Sequence, residues 1–249
     1  MNIWIIGYGN MGREVERAAK AKGIAIQSII DTTSNDATHR EINEDSMKNV
    51  DVCIDFTAAD SVISNIMRAS KFKKDIVVGT TGWNERLGEA RSIIKKSGSG
   101  LIHASNFSVG VNAFYMILEN SARIINNLDS YDIFGYELHH KKKSDSPSGT
   151  AKSICDILIN NIKRKNKIVF DKIDGKIKPN ELHFASVRSG FIPGTHVVGF
   201  DSEADTIELK HTARSRQGFA VGAIIAAEWI KGRKGFYGIR DMMDSIMNK

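Results

Sequence analysis

The chain of 249 residues is 41% hydrophobic and 26% charged, which excludes a disordered or fibrous protein and allows one large domain or two modest ones. Its net charge of +6 is not gathered into a basic tail, since 35 Lys and Arg residues are interspersed with 29 acidic ones, so a nucleic-acid partner is not expected. Two well-separated cysteines, Cys53 and Cys155, exclude a disulfide framework or thiolate metal site, and no apolar run approaches ~18 residues, so a cytoplasmic protein without a membrane partner is expected.

Short apolar runs at 3–6, 24–30, 50–54, 76–78 and 101–104 read as buried parallel strands. Between the first two, Met11, Val15, Ala18 and Ala19 share one face of a helix over 10–22, which Gly23 stops. Segments 61–70 and 85–96 repeat the alternation, as a right-handed, doubly wound sheet requires. After about Ser108 the pattern changes. Helices are predicted over 112–125 and 151–162, and strands over 131–138, 182–188, 196–200 and 206–212. A closing helix over 220–230, rich in Ala and Ile, is suited to pack back on the first domain. The expected fold class is α/β: an N-terminal Rossmann-like doubly wound parallel sheet, formed by 1–107 and 220–249, plus a second α+β domain with a mixed open sheet over 108–219.

Gly7-Tyr8-Gly9-Asn10-Met11-Gly12 fits G-x-G-x-x-G between a predicted strand and a predicted helix, with Asp31 ending the second strand. Such glycines allow a tight turn and close approach of backbone to a pyrophosphate, the helix N-terminus offers free N–H groups, and the acid accepts from ribose hydroxyls. A plain glycine turn is the alternative, and it leaves the coincidence of strand, helix and acid unexplained. A carboxylate at 31 disfavours a 2′-phosphate and Thr32 and Thr33 bring no cation, so NADH is expected to serve at least as well as NADPH. Gly79-Thr80-Thr81-Gly82 and Ala104-Ser105-Asn106-Phe107 also follow strands at the carboxyl edge. They are candidates to meet the nicotinamide ribose and carboxamide, with Phe107 either walling the ring or lying in the core.

The stretch Glu137-Leu138-His139-His140-Lys141-Lys142-Lys143-Ser144-Asp145-Ser146-Pro147-Ser148-Gly149-Thr150-Ala151 runs from a strand through a basic loop into a helix start. Histidines supply protons near neutral pH, Lys143 supplies a fixed cation or a second proton source, and Ser148, Gly149 and Thr150 open a helix as a carboxylate receptor. An anionic substrate that is protonated during turnover suits this set.

The run H-H-x-x-K-x-D-x-P-S-G-T-A resembles the signature of the 4-hydroxy-tetrahydrodipicolinate reductases, and 79–82, 105–112 and Arg188-Ser189-Gly190 resemble further motifs of that family in the same order. The resemblance implies hydride transfer from NADH or NADPH to the conjugated ring of a small cyclic dicarboxylate, giving tetrahydrodipicolinate. It also implies His139 as general acid, Lys143 as catalytic lysine, and His140, Gly149 and Thr150, helped by Ser148, as carboxylate binders. A homotetramer built through the second domains is implied as well. The chain departs from some members at Ile225, where they place an arginine.

Two other functions would share part of this pattern. Another two-domain nicotinamide-dependent dehydrogenase, acting on a small amino or keto acid, would share the glycine loop but not need the basic loop and Ser148-Gly149-Thr150. A dinucleotide-sensing regulator would bind nucleic acid and show no turnover. No metal is expected, because His39, His103, His183, His196 and His211 show no compact ligand spacing along the chain. Arg188 either faces substrate or pairs with an acid.

Overall fold

The computed structural model describes residues 1–248. They form two compact units, one of Met1–Asn112 with the segment from Arg216 onward, the other of Ala113–Ser215. In chain order the first unit carries β1 (Asn2–Ile6), α1 (Asn10–Ala21), β2 (Ala25–Ile30), β3 (Val52–Asp55), α2 (Val62–Lys71), β4 (Asp75–Val78), α3 (Leu87–Ser97) and β5 (Gly100–His103). Then come α4 (Val109–Ile125), β6 (Asp132–His139), α5 (Gly149–Asn161), β7 (Lys167–Val169), β8 (Glu181–Arg188), β9 (Thr195–Asp201) and β10 (Thr206–Thr212). The chain finishes with α6 (Gln217–Ile230), β11 (Gly235–Gly238) and α7 (Ile239–Met247) in the first unit.

The first unit is a six-stranded sheet in the order β11-β5-β4-β3-β1-β2, with every pairing parallel. Its central strands are apolar on both faces because helices cover both, and Ile3, Ile5, Ile54, Val77 and Leu101 are wholly buried. The winding reverses at β1, which lies between β2 and β3. In such sheets the crevice outside the carboxyl ends of the strands at the reversal is where ligands bind. Helix α6 packs on α1, β3, β4 and β5, and its Ala220, Ala223, Ile224, Ala227 and Ile230 are all wholly buried.

The second unit is a five-stranded mixed sheet in the order β10-β9-β6-β8-β7. The central β6 runs parallel to β8 and antiparallel to β9. Phe114, Leu118 and Ala122 of α4 and Ile154 and Leu158 of α5 form one apolar cluster with Phe184 and Phe200 of the sheet. Ile133 of β6 belongs to the same cluster, and the alternating burial of the strand carries that face on through Gly135 to Glu137 and His139, so the apolar layer gives way to polar residues at the carboxyl end of β6.

Candidate active site

At the carboxyl end of β1 each glycine of the loop meets a different demand. Gly7 has φ +89°, and a Cβ there would stand 2.3 Å from the Phe56 carbonyl oxygen; at Gly12 it would stand 2.2 Å from the Gly7 oxygen, where α1 closes on the turn. Gly9 is unlike both, being exposed with nothing within 4 Å of the position a Cβ would take. That open face at the start of a helix without a side-chain cap is what a pyrophosphate needs, so the residues present fit a dinucleotide.

Asp31 is more engaged than a free ribose acceptor. Its Oδ2 accepts from Tyr8 N at 2.7 Å, and its Oδ1 accepts from the N–H groups of Thr33 and Ser34 and from the Thr33 hydroxyl. Burial disfavours its charge, but these donors outweigh it and bring the carboxyl down to about 2. Asp31 therefore locks the β1–α1 and β2 loops together. Arg40, which spacing did not bring to this loop, donates to the carbonyls of Asp31 and Ser34. The Tyr8 ring lies under the Arg13 guanidinium at 4.6 Å, and its hydroxyl bonds Glu16.

Of the other cofactor candidates, Gly9, Asn10, Thr81 and Ser105 are exposed, and Met11, Gly79 and Asn106 half-buried. Thr80 points inward, donating to the wholly buried Asp55 at 2.9 Å and accepting from Thr57 N. Ala104 is buried, and so is Phe107, at 2% exposure. The suggestion that the Phe107 ring walls the nicotinamide is therefore corrected in favour of its core alternative.

The second unit assembles its polar centre around Glu137, which has no exposed surface. Strand register sets Ser186 of β8 and His196 of β9 on either side of Glu137, and Arg188 beside His139. Oε1 accepts from Ser148 N at 3.0 Å, the Ser186 hydroxyl at 2.9 Å and Arg188 at 2.7 Å. Oε2 accepts from the Ser148 hydroxyl and lies 3.3 Å from His196 Nε2 and 3.4 Å from His139 Nδ1. Burial opposes the charge of Glu137, yet His196, Ser148 and Arg188 together hold it well below the usual carboxylate range. For His139 burial dominates and lowers it from 6.5 to about 4, against the opposing pull of Glu137.

Several expected ligand contacts are redirected by this centre. Ser148 is the N-cap of α5: its hydroxyl donates to Glu137 and accepts from Ala151 N at 3.1 Å, so it is turned away from solvent rather than free to hold a carboxylate. Gly149 is exposed and Thr150 half-buried at the same helix start, where the first N–H groups have no partner within the helix. Lys143 pairs with Asp145 at 2.7 Å, and His140 is half-buried. Arg188 pairs with an acid, the second of its two alternatives.

Spacing along the chain hid His196 from the histidines of interest, but the fold brings it to His139, ring centroids 5.2 Å apart. One atom each of Glu137, His139 and His196 fall within 4.8 Å of one another. The Arg188 guanidinium already neutralises that carboxylate, and both of its oxygens are taken by donors.

Comparison with known proteins bears on both units. The model described as "Dihydrodipicolinate reductase, N-terminus" matches residues 1–107, and the one described as "Dihydrodipicolinate reductase, C-terminus" matches 110–243. The chain belongs to the dihydrodipicolinate reductase family. A 4-hydroxy-tetrahydrodipicolinate reductase of Christiangramia forsetii is 35% identical over 246 residues, 99% of each chain. Another, of Cupriavidus necator, is 33% identical over 267 aligned positions, again 99% of each. A dipicolinate-bound dihydrodipicolinate reductase from Paenisporosarcina sp. TG-14 shares the fold at a TM-score of 0.79 and 21% identity, covering 97% of this chain and 98% of that one.

Within a member of this family, the residues that sequence reasoning passed over are Glu137, Ser186 and His196. Only Glu137 left a trace, an acid two positions before His139 in a strand, where side chains of equal parity share a face.

Proposed function

We propose that this chain is a 4-hydroxy-tetrahydrodipicolinate reductase, reducing its cyclic dicarboxylate substrate with NADH or NADPH to tetrahydrodipicolinate in diaminopimelate and lysine biosynthesis. The observation that carries the reading is membership of one enzyme family along both units, joined to a buried histidine beside an open helix start in the second.

The dinucleotide, when bound, supplies the hydride. Its pyrophosphate would lie over Gly9 at the start of α1, with Gly7, Tyr8, Asn10, Met11 and Gly12 shaping the turn and Asp31 facing the adenosine ribose. Gly79, Thr80, Thr81, Ala104, Ser105, Asn106 and Phe107 would shape the nicotinamide end largely through backbone, since Thr80, Ala104 and Phe107 have buried side chains. In the second unit the free N–H groups of Gly149 and Thr150 and the His140 ring hold the substrate carboxylates, and Lys143 contributes a fixed positive charge.

His139 gives the proton that accompanies hydride addition. Its Nδ1 is turned to Glu137, so the proton leaves from Nε2. Standing alone His139 is neutral at pH 7, being lowered to about 4. A dianionic ligand beside it favours the imidazolium, so substrate binding charges the donor.

Assembly into a homotetramer and a cytoplasmic location belong to the same proposal. Exposed Phe191 at 86%, Val187 at 46% and Ile207 at 45% on the second unit support the first, and buried, free Cys53 and Cys155 support the second. Among the described residues no helix is long and apolar enough to cross a membrane.

The deciding assay follows NADH, then NADPH, oxidation with substrate generated in situ from pyruvate and aspartate semialdehyde by a coupled synthase. Substrate-dependent oxidation is expected with both cofactors; none, from folded protein that still binds them, would redirect the reading to a dehydrogenase of other small acids.

A further inference from the structure

A buried carboxylate is costly unless donors surround it. Glu137 has no exposed surface and therefore cannot touch a ligand, yet it gathers four donor residues from three elements: Ser148 at the start of α5, Ser186 and Arg188 on β8, and His196 on β9. A fold in need of packing alone would fill this spot with an apolar side chain. Two of the neighbours of Glu137 are the parts through which the proposed reaction acts. One is the His139 ring, whose buried Nδ1 makes no hydrogen bond as it stands and has the Glu137 Oε2 at 3.4 Å. The other is Ser148, which caps the helix whose next residues, Gly149 and Thr150, offer the substrate N–H groups.

We propose that Glu137 is a positioning residue: one carboxylate holds the His139 imidazole by Nδ1 and the N-terminus of α5 by Ser148, fixing proton donor and carboxylate receptor relative to each other. This rests on the reading of His139 as the donor given above.

Two consequences follow from the geometry. The first concerns the tautomer. Neutral His139 carries its hydrogen on Nδ1, toward Oε2, and leaves Nε2 on the side of Gly194, where a Cβ would stand 3.0 Å from that nitrogen. The second concerns charge. The ionisable groups facing His139 are Glu137 from its own strand, His196 from β9, Arg188 from β8 and Lys143 from the loop. Three of these are basic, so Glu137 is the single anion among them that favours the protonated ring. Removing its charge makes the donor harder to protonate, and activity is then lost at a lower pH than before.

The test combines kinetics with nitrogen-15 NMR of the histidine rings in the full chain. In wild-type protein the neutral His139 ring is expected as the Nδ1–H form. Glu137→Gln, nearly equal in volume, is expected to lower kcat at least about tenfold and to move the high-pH limb of kcat down by about one pH unit, a shift typical of losing one close countercharge. Glu137→Asp, which keeps the charge on a shorter arm, should return the limb toward its wild-type place while kcat stays reduced. An Nε2–H tautomer in wild-type protein would overturn the proposal. So would an unmoved limb in Glu137→Gln with only a lower melting temperature, the mark of packing alone. If Glu137→Gln does not fold, the wild-type tautomer decides. The ring spectra need no turnover, so absence of substrate-dependent NADH oxidation by wild-type enzyme would count against the reductase reading without deciding the Glu137 contact.

Discussion

In the first unit the glycine loop is made of neighbours in sequence: Gly7, Gly9 and Gly12 act through what their missing side chains leave open. In the second, Glu137 meets Ser148, Ser186 and Arg188 across 11, 49 and 51 residues of chain, and everything depends on which side chains are present. A backbone-built site tolerates the loss of side chains and fails when one atom is added. A site built from side chains around a buried charge fails when one is removed, because the partners left behind are then unpaired.

The largest effect that tests this contrast is loss of the donor. His139→Gln is expected to lower kcat by about 10²–10⁴-fold, the usual worth of a positioned general acid, while a fluorescence titration finds NADH binding unchanged. A wild-type-like kcat would remove His139 from its role. On the other side of the comparison, Gly9→Ala adds one methyl into open space at a residue of ordinary extended backbone, φ −79° and ψ −154°. The variant should melt like wild type but bind NADH at least about tenfold more weakly, about 1.4 kcal/mol. Equal affinity would mean that no pyrophosphate approaches there.

Ser148→Ala should cost about 2–4 kcal/mol in urea unfolding, combining a lost helix cap with a lost donor to a buried charge. Ser105→Ala, on an exposed loop of the first unit, should stay within about 0.5 kcal/mol of wild type. Comparable losses in the two variants would erase the distinction between the sites. A smaller effect is expected in the cofactor ratio. Under the proposed placement of Asp31 beside the ribose, NADH should serve at least as well as NADPH, and an NADPH advantage in kcat/KM above about tenfold, or 1.4 kcal/mol, would transfer control to cations such as Arg40.

The mildest effect is on acid stability. Unfolded His139 takes up a proton near 6.5 but folded His139 only near 4, so between these values the unfolded chain binds more protons and stability falls as pH falls. Below about pH 4 His139 adds no further loss. Asp31, lowered from 3.8 to about 2, continues the decline below 3.8 by the same sign. Melting temperatures of wild type and His139→Gln from pH 7 to 4 should therefore differ in slope, the variant being shallower; parallel curves would show that His139 titrates normally.

The strands and helices of the first unit were legible because buried parallel strands are continuous apolar runs and α1 shows its face at helical spacing. The four residues of β11 escaped notice: Gly235-Phe236-Tyr237-Gly238 contains no β-branched residue and becomes a strand by pairing with β5. Helix α7 and the three-residue β7 also went unread. At the site the same division holds. His139, Lys143, Gly149 and Thr150 stand in one run of sequence and could be read from it. Ser186 and His196 could not, since nothing local marks a serine or a histidine that strand register will set against a carboxylate.

By itself, then, the sequence determined the alternation of strands and helices, the glycine turn and the chemistry of the basic loop, because those depend on residues close in the chain and on periodicity. Tertiary structure decided the direction in which polar groups face: Ser148 inward as a cap, Thr80 onto Asp55, Phe107 into the core, Arg188 and His196 onto Glu137. The physical reason is that a buried charge is satisfied by whatever donors the packing of distant strands brings within about 3 Å, and that selection is made only when the sheet forms.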